Sequence, residues 1–343
     1  MPPPRRLSYS IPPAPSLPAR GEDDGLAGVQ AISMHRSPSL RVRPWLALAL
    51  ALAVAACASS RSGESAEPKP YDPSATNLPE RSIGYFLVDL DASVRAWNRL
   101  VLTASGEDEQ RRATLLADDL TYRARKRKDD LLGQLETGPP FNRMVAAAGL
   151  GFSRDPDVVP PLLAALEDPE AEVVANALLG LALVASPETP TGGIAEHLRS
   201  GANTRLRSNA AYALREILEA RGWSSDEVVL AAAREGLADP EPAVRAQCAL
   251  LVAGLRDVES VERLGLIVHD KVPIAALAAG RALAFLGSRE PRVKGASARA
   301  LAGALDKVEP AVRSGLLRSL AALAEANYGR DSEAWVEWAH RLP

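Results

Sequence analysis

Apolar residues in the body of the chain recur at helical rather than strand spacing. Five segments share one pattern: EVVANALLGLAL at 172–183, RLRSNAAYAL at 205–214, AVRAQCALLV at 243–252, PIAALAAGRAL at 273–283 and AVRSGLLRSL at 311–320. Aligning Val173, Leu206, Val244, Ile274 and Val312 gives successive spacings of 33, 38, 30 and 38. A weaker copy, FNRMVAAAGLG at 141–151, precedes the first of them by one further period. Shorter amphipathic runs separate the copies: Val158–Leu166, Ile194–Leu198, Glu227–Leu237, Ser260–Val268 and Lys294–Leu305. Asp168-Pro169, Asp239-Pro240 and Glu309-Pro310 supply turn signals, and proline suits a first helical turn, where its missing N–H costs nothing. Each unit therefore predicts two antiparallel helices. Neither buries its apolar face alone, so neighbours must stack into one continuous core. Ala177, Ala210, Cys248, Ala278 and Leu316 share a register position, and four of the five are small, which predicts close helix approach.

The two ends of this body differ from it. Val88–Leu102 reads as one helix and Glu107–Leu135 as a long charged one, so residues 80–138 are expected to form a helical hairpin capping the first repeat. The repeat domain is expected to occupy residues 139–343. Its last stretch, NYGRDSEAWVEWAHRLP at 327–343, predicts a helix capped by Asp331 or Ser332. Trp335 and Trp338 share a face of that helix at i, i+3. They are expected to act as a structural cap, since a repeat stack would otherwise end on an open apolar face.

The DP-x-x-x-V-R run at 239–245, together with the helix-pair period, resembles HEAT repeats of the short bacterial kind over residues 140–328. That resemblance implies an all-α fold, an α-solenoid of about five to six HEAT-like helix pairs, with a concave surface that binds other proteins. Arg207, Arg245 and Arg313 recur at one repeat position. The resemblance implies that each pairs with a turn acid, as Arg245 would with Asp239, in a structural ladder rather than a binding code. It also leaves an alternative open, an accessory or lyase-like enzyme, because some bacterial HEAT-type proteins resemble bilin lyases. An envelope-assembly or secretion component is a third reading.

The apolar pattern near the N-terminus is of another kind. Residues 45–56 form an uninterrupted run of Trp, Leu, Ala and Val. A membrane-spanning helix needs roughly 20 residues, so this run fits a signal-peptide core instead. Arg36, Arg41 and Arg43 precede it. Val54-Ala55-Ala56-Cys57 resembles the bacterial lipobox, which implies cleavage between Ala56 and Cys57, diacylglyceryl transfer to the Cys57 thiol and acylation of the new amino terminus. The alternative is a plain secretory signal followed by a chance cysteine. Residues 34–56 make a signal of ordinary length starting at Met34, whereas residues 1–33, with seven prolines, read as a gene-start extension or a disordered segment. A start near Val29 is a further option. Residues 57–79 are rich in Ser, Glu, Pro and Gly without periodicity and read as a disordered tether. The expected location is the cell envelope, lipid-anchored. By the enterobacterial sorting rule, Ala58 after the cysteine favours the outer membrane over the inner.

Composition and charge narrow the function. Aromatics make up 4% of residues against 47% hydrophobic, so the core is built of Ala, Leu and Val, a mixture that favours helices over strands. The net charge is −3, and it becomes −6 once the segment 1–56, with six Arg and three acids, is removed. Proteins that bind DNA or RNA through its phosphates usually show a basic surplus, so no nucleic acid partner is expected. His197, His269 and His340 are far apart in sequence, no Cys pair accompanies them, and no metal site is expected. No phosphate loop or nucleophile elbow appears. Gly192-Gly193 reads as a turn between repeats, and Cys248 as a small buried hydrophobe. Arg123, Arg125, Lys126, Arg127 and Lys128 form the densest basic run; acids flank it on both sides, which favours a solvated helix face over a lipid-headgroup contact. The expectation is thus a non-enzymatic scaffold without cofactor. Its partners would be unknown proteins on the concave repeat surface and a membrane through the lipid anchor.

Overall fold

The computed structural model describes residues 82–103, 106–324 and 327–343. The segments 1–33, 34–56 and 57–79, with Ala56 and Cys57, lie outside the described residues. The described residues form fifteen α-helices, three short 3-10 turns and no strand.

The helices, numbered in chain order, are α1 (Ile83–Thr103), α2 (Glu107–Lys126), α3 (Lys128–Thr137), α4 (Pro140–Ser153), α5 (Val159–Ala164), α6 (Ala171–Val184), α7 (Gly192–Ser200) and α8 (Thr204–Ala220). They continue as α9 (Glu227–Gly236), α10 (Pro242–Gly254), α11 (Val261–Ile267), α12 (Pro273–Arg289), α13 (Pro291–Ala304), α14 (Pro310–Leu323) and α15 (Ser332–Arg341). From α3 to α14 they pair in sequence order, six pairs in all, and the pairs stack into an α-solenoid. The second helix of each pair packs on the second helix of the next, giving an unbroken row α4-α6-α8-α10-α12-α14. The first helices form an outer row with less extensive mutual contact. Closer packing along the second-helix row bends a stack of this kind toward that row, and on that argument the free face of α6 through α14 is the concave one.

Small residues permit that closeness. Ala177, Ala210, Cys248, Ala278 and Leu316 are all fully buried at their common position. Leu316 is the large one, and Gly280 on the neighbouring helix makes room: a Cβ there would lie 2.6 Å from a Leu316 methyl. Gly151 and Gly180 bring α4 and α6 into backbone contact, as a Cβ on Gly151 would stand 2.5 Å from the Gly180 Cα. Gly236 likewise lets α9 approach α10 over the Cys248 sulfur. Proline opens α4, α10, α12, α13 and α14 at the first helical positions, where it removes no hydrogen bond.

The helix expected across Glu107–Leu135 divides at Arg127, whose φ of −114° and ψ of 26° leave helical geometry. Its second part, α3, is the first outer helix of the stack. The two helices that precede it, α1 and α2, both pack on α4. Trp97 of α1 meets Phe152 of α4 edge-to-face, ring centroids 5.0 Å apart. Arg125 of α2 donates to the Ser153 carbonyl at 2.8 Å. No described helix is long and apolar enough to cross a membrane.

Candidate functional site

The Arg–Asp ladder shows how the repeats are registered. Arg207 Nε and Nη2 donate to the two carboxylate oxygens of Asp239 at 2.7 and 3.1 Å. Arg143 does the same to Asp168 at 2.7 and 2.9 Å. Arg245 pairs with Asp270, its Nε at 2.9 Å. The expected Arg245–Asp239 pair is therefore corrected. Arg245 reaches its own turn only through carbonyls, donating to Asp239 O at 2.6 Å and Pro240 O at 2.8 Å, while the Asp239 carboxylate serves the preceding Arg207. The geometry explains this. Each turn acid is turned inward to accept its own i+2 backbone N–H, as Asp168, Asp239 and Asp270 all do, an Asx turn. That leaves its outer edge facing the preceding repeat. Each arginine thus ties its own turn to the next one. The partnered carboxyl of Asp168 is held below its ordinary value, chiefly by the Arg143 hydrogen bond.

At the C-terminal end the same position is finished differently. Arg313 donates to Ser332 Oγ at 2.6 Å and to the Arg330 carbonyl at 3.2 Å, and Ser332 donates onward to Asp306 at 2.8 Å. The Asp331 side chain caps α15 by accepting from Ala334 N at 3.1 Å. Trp335 is fully buried and Trp338 half-buried. The two indoles meet at 5.6 Å and 84°. Tyr328 closes on Trp335 at 4.9 Å, and the indole Nε1 donates to the Gly329 carbonyl at 3.1 Å.

The concave face has two chemically distinct halves. Its N-terminal half is a polar network. Asn176 donates to Met144 O at 2.9 Å, Asn209 to Ala175 O at 2.8 Å, and Arg205 to Asn176 Oδ1 at 2.7 Å. Arg215, 4% exposed, bridges Gln247 at 3.0 Å and Glu216 at 2.7 Å, and lies over the Tyr212 ring. Burial, then Glu216, pushes the Tyr212 phenol up. Arg154, at the C-terminus of α4 with φ of 54°, reaches solvent yet is ringed by protein, so desolvation lowers its guanidinium, with the Arg125 charge acting in the same direction.

The C-terminal half is cationic. The helices α10, α12 and α14 hold five arginines and no acid. Along α12 the positions left partly or fully exposed after its first residue are Ile274, Leu277, Arg281, Phe285, Ser288 and the terminal Arg289, and the first five share one face by their spacing. Arg281 is half-buried. Desolvation lowers its guanidinium first, and repulsion from Arg318 of α14 adds to that.

Other residues singled out from the sequence resolve into structure. Arg123 pairs with Asp89 at 2.7 Å, Lys128 with Asp155 at 2.7 Å, and Arg127 with Asp130; these charges fasten α1, α2 and α3 to each other and to the first repeat. Gly192 and Gly193 open α7, where Thr191 donates to Asp226 at 2.7 Å. Cys248 is buried, and burial pushes its thiol up. The three histidines are not brought together, and among the described residues no cluster of His, Cys, Asp and Glu could hold a metal.

Residues 129–215 match the family of HEAT repeats. The match runs from α3 into α8, and the same two-row packing continues to α14. Among solved structures the chain is similar to a designed armadillo repeat protein at 16% identity and a TM-score of 0.43, over 57% of this chain and 99% of that one. It is similar to human deoxyhypusine hydroxylase at 22% identity and a TM-score of 0.34, over 71% and 94%. It is also similar to the complex of CpcE and CpcF of phycocyanin lyase from Nostoc at 18% identity and a TM-score of 0.37, over 81% and 98%. No curated protein matches the chain.

Proposed function

We propose that this chain is a lipid-anchored HEAT-repeat scaffold of the bacterial cell envelope. It carries no reaction of its own and binds another protein on the concave face. The anchor is Cys57, acylated after cleavage at Ala56, and Ala58 sends the protein to the outer membrane. The tether at 57–79 holds the repeats off the lipid surface. One observation carries the reading: no described element packs across the free face of α8, α10, α12 and α14, a long curved surface of the kind through which solenoids bind partners.

A photo-crosslinking residue placed at Ser288, on the concave face, is expected to capture a protein in cells. The same residue at Arg263, exposed on the outer α11, is expected to capture far less. Equal capture from the two faces, or none from either, would count against the scaffold. The anchor is tested separately: Cys57→Ser should release the protein from the membrane fraction, and mass spectrometry of the wild-type amino terminus should show an acylated cysteine.

A further inference from the structure

We propose that the C-terminal half of the concave face binds an acidic segment of a partner protein, with Arg281 and Arg318 receiving carboxylates and Leu277 and Phe285 receiving an adjacent apolar side chain. The proposal rests on the scaffold reading and specifies the partner's chemistry.

Charge segregation is the first support. The whole chain carries three more acids than bases, yet α10, α12 and α14 contain none of those acids. Acids at these levels of the stack stand on the outer helices and in turns, and Asp270 is engaged by Arg245. The five arginines divide by location. Arg245 and Arg313 belong to the ladder and the C-terminal end, and Arg289 lies over the Phe285 ring at 5.7 Å. Arg281 lies on the same α12 face as Leu277 and Phe285, and Arg318 is exposed on the neighbouring α14. A guanidinium fork matches a carboxylate in two-point fashion, so a face that holds arginines and no acid suits an acidic segment.

The second support is the apolar surface beside the charges. Gly315 has no side chain, and a Leu277 methyl occupies the space where its Cβ would be. Arg318 Nη2 lies 4.0 Å from that same position. Leu277 and the Arg318 guanidinium are therefore side by side, with Phe285 two turns along the same face of α12. Alternating apolar and cationic contacts suit a peptide that carries both acidic and apolar side chains. A phosphate polymer or an anionic membrane needs a broad array of cations, and the surplus of acid elsewhere on the chain opposes either at long range.

The test uses the full chain and short labelled peptides built of Glu and Leu, of Gln and Leu, and of Lys and Leu, with inorganic polyphosphate and phosphatidylglycerol vesicles as rival anions. The Glu/Leu peptide is expected to bind, more weakly as salt rises, and the other two peptides are not. Arg281→Gln and Arg318→Gln should each weaken it roughly tenfold, while Arg292→Glu on the exposed outer face of α13 leaves it unchanged. Circular dichroism of each variant checks that the helices persist. The arginine-to-glutamine pair serves if charge reversal to R281E and R318E fails to fold. Equal binding of the Gln/Leu peptide, indifference to both arginine substitutions, displacement by polyphosphate or vesicles, or no peptide binding would each overturn the proposal. Crosslinking from Ser288 separates the two failures. Capture that survives R281Q/R318Q keeps the scaffold and removes the acidic partner, whereas absent capture removes the scaffold itself.

Discussion

Alanine at Gly151 and alanine at Gly133 should shift stability in opposite directions. Both glycines lie inside helices, and replacing glycine there gains about 1 kcal/mol of helix propensity. Gly133 is exposed on α3 with nothing within 4 Å of a new Cβ, so Gly133→Ala should realise that gain. At Gly151 the Cβ would lie 2.5 Å from Gly180 Cα and 2.9 Å from Gly180 O. These are backbone atoms of α6, and no rotamer change moves them. Ordinary contact needs about an ångström more, so α4 and α6 must part along a seam whose residues 145–153 are all buried. Overpacking of this kind costs about 1–3 kcal/mol and should exceed the propensity gain, because the obstacle is backbone. For a folded region of this size each kcal/mol moves the melting temperature by about 2–4 °C. Thermal and urea unfolding followed by far-UV circular dichroism should therefore show Gly133→Ala above wild type and Gly151→Ala below it. Gly180→Ala, whose Cβ meets Ala147 O at 2.7 Å, should also be destabilising. The double variant should lose less than the two losses added, since the helices part once for both. A Gly151→Ala protein as stable as Gly133→Ala would refute the close backbone seam.

Trp335→Ala should cost about 3–5 kcal/mol, a large part of a typical total stability of about 5–15 kcal/mol. Trp338→Ala, half-buried at the same cluster, should cost less, and ending the chain at Asn327 should lower the melting temperature sharply; unchanged melting would make these indoles an interaction motif instead. The carboxyls of Asp155, Asp168 and Asp257 sit below the ordinary 3.8 in the folded chain. Hydrogen bonds from Lys128 and Arg143 hold down Asp155 and Asp168, and at Asp257 burial acts upward but is outweighed by hydrogen bonds from Arg234 and Ser260 together with the Arg234 charge. The unfolded chain then binds more protons than the folded one at low pH, so stability should be intact at neutral pH and fall as pH drops through about 4 and below; a flat urea midpoint from neutral pH to about 3 would contradict the pairing of these three carboxylates. Cys248 should resist a thiol reagent in the native protein and react after urea unfolding, and rapid native labelling would mean that the α9–α10 contact opens.

The repeat body is legible in the sequence because one register carries both signals the stack needs, a β-branched or leucine residue at the start of the helix and, in four copies of five, a small residue one turn further on. Those positions are buried rungs except Ile274, which is half-buried, and the helix ends fall within a few residues of the turn signals. What stays hidden depends on pairs rather than on periods. Sequence proximity favours Asp239 as the partner of Arg245, yet the structure sends Arg245 forward to Asp270. Arg143 stands at the same separation from Asp168, a regularity present in the sequence but visible only once the acid is known to face backwards. The break at Arg127 leaves no trace because charged residues on both sides continue a helical pattern, and no proline or glycine marks it. Gly151 and Gly180 look like interruptions in apolar runs, though each is the reason the other is tolerated. Net charge is the least informative quantity. A value of −3 averages an acidic exterior with three inner helices that contain no acid at all. An average of that kind gives no reason to expect a polyanion partner and conceals the distribution of charge between the helix rows. The relevant charge is therefore that of each helix row, which is defined only after the stack has been built.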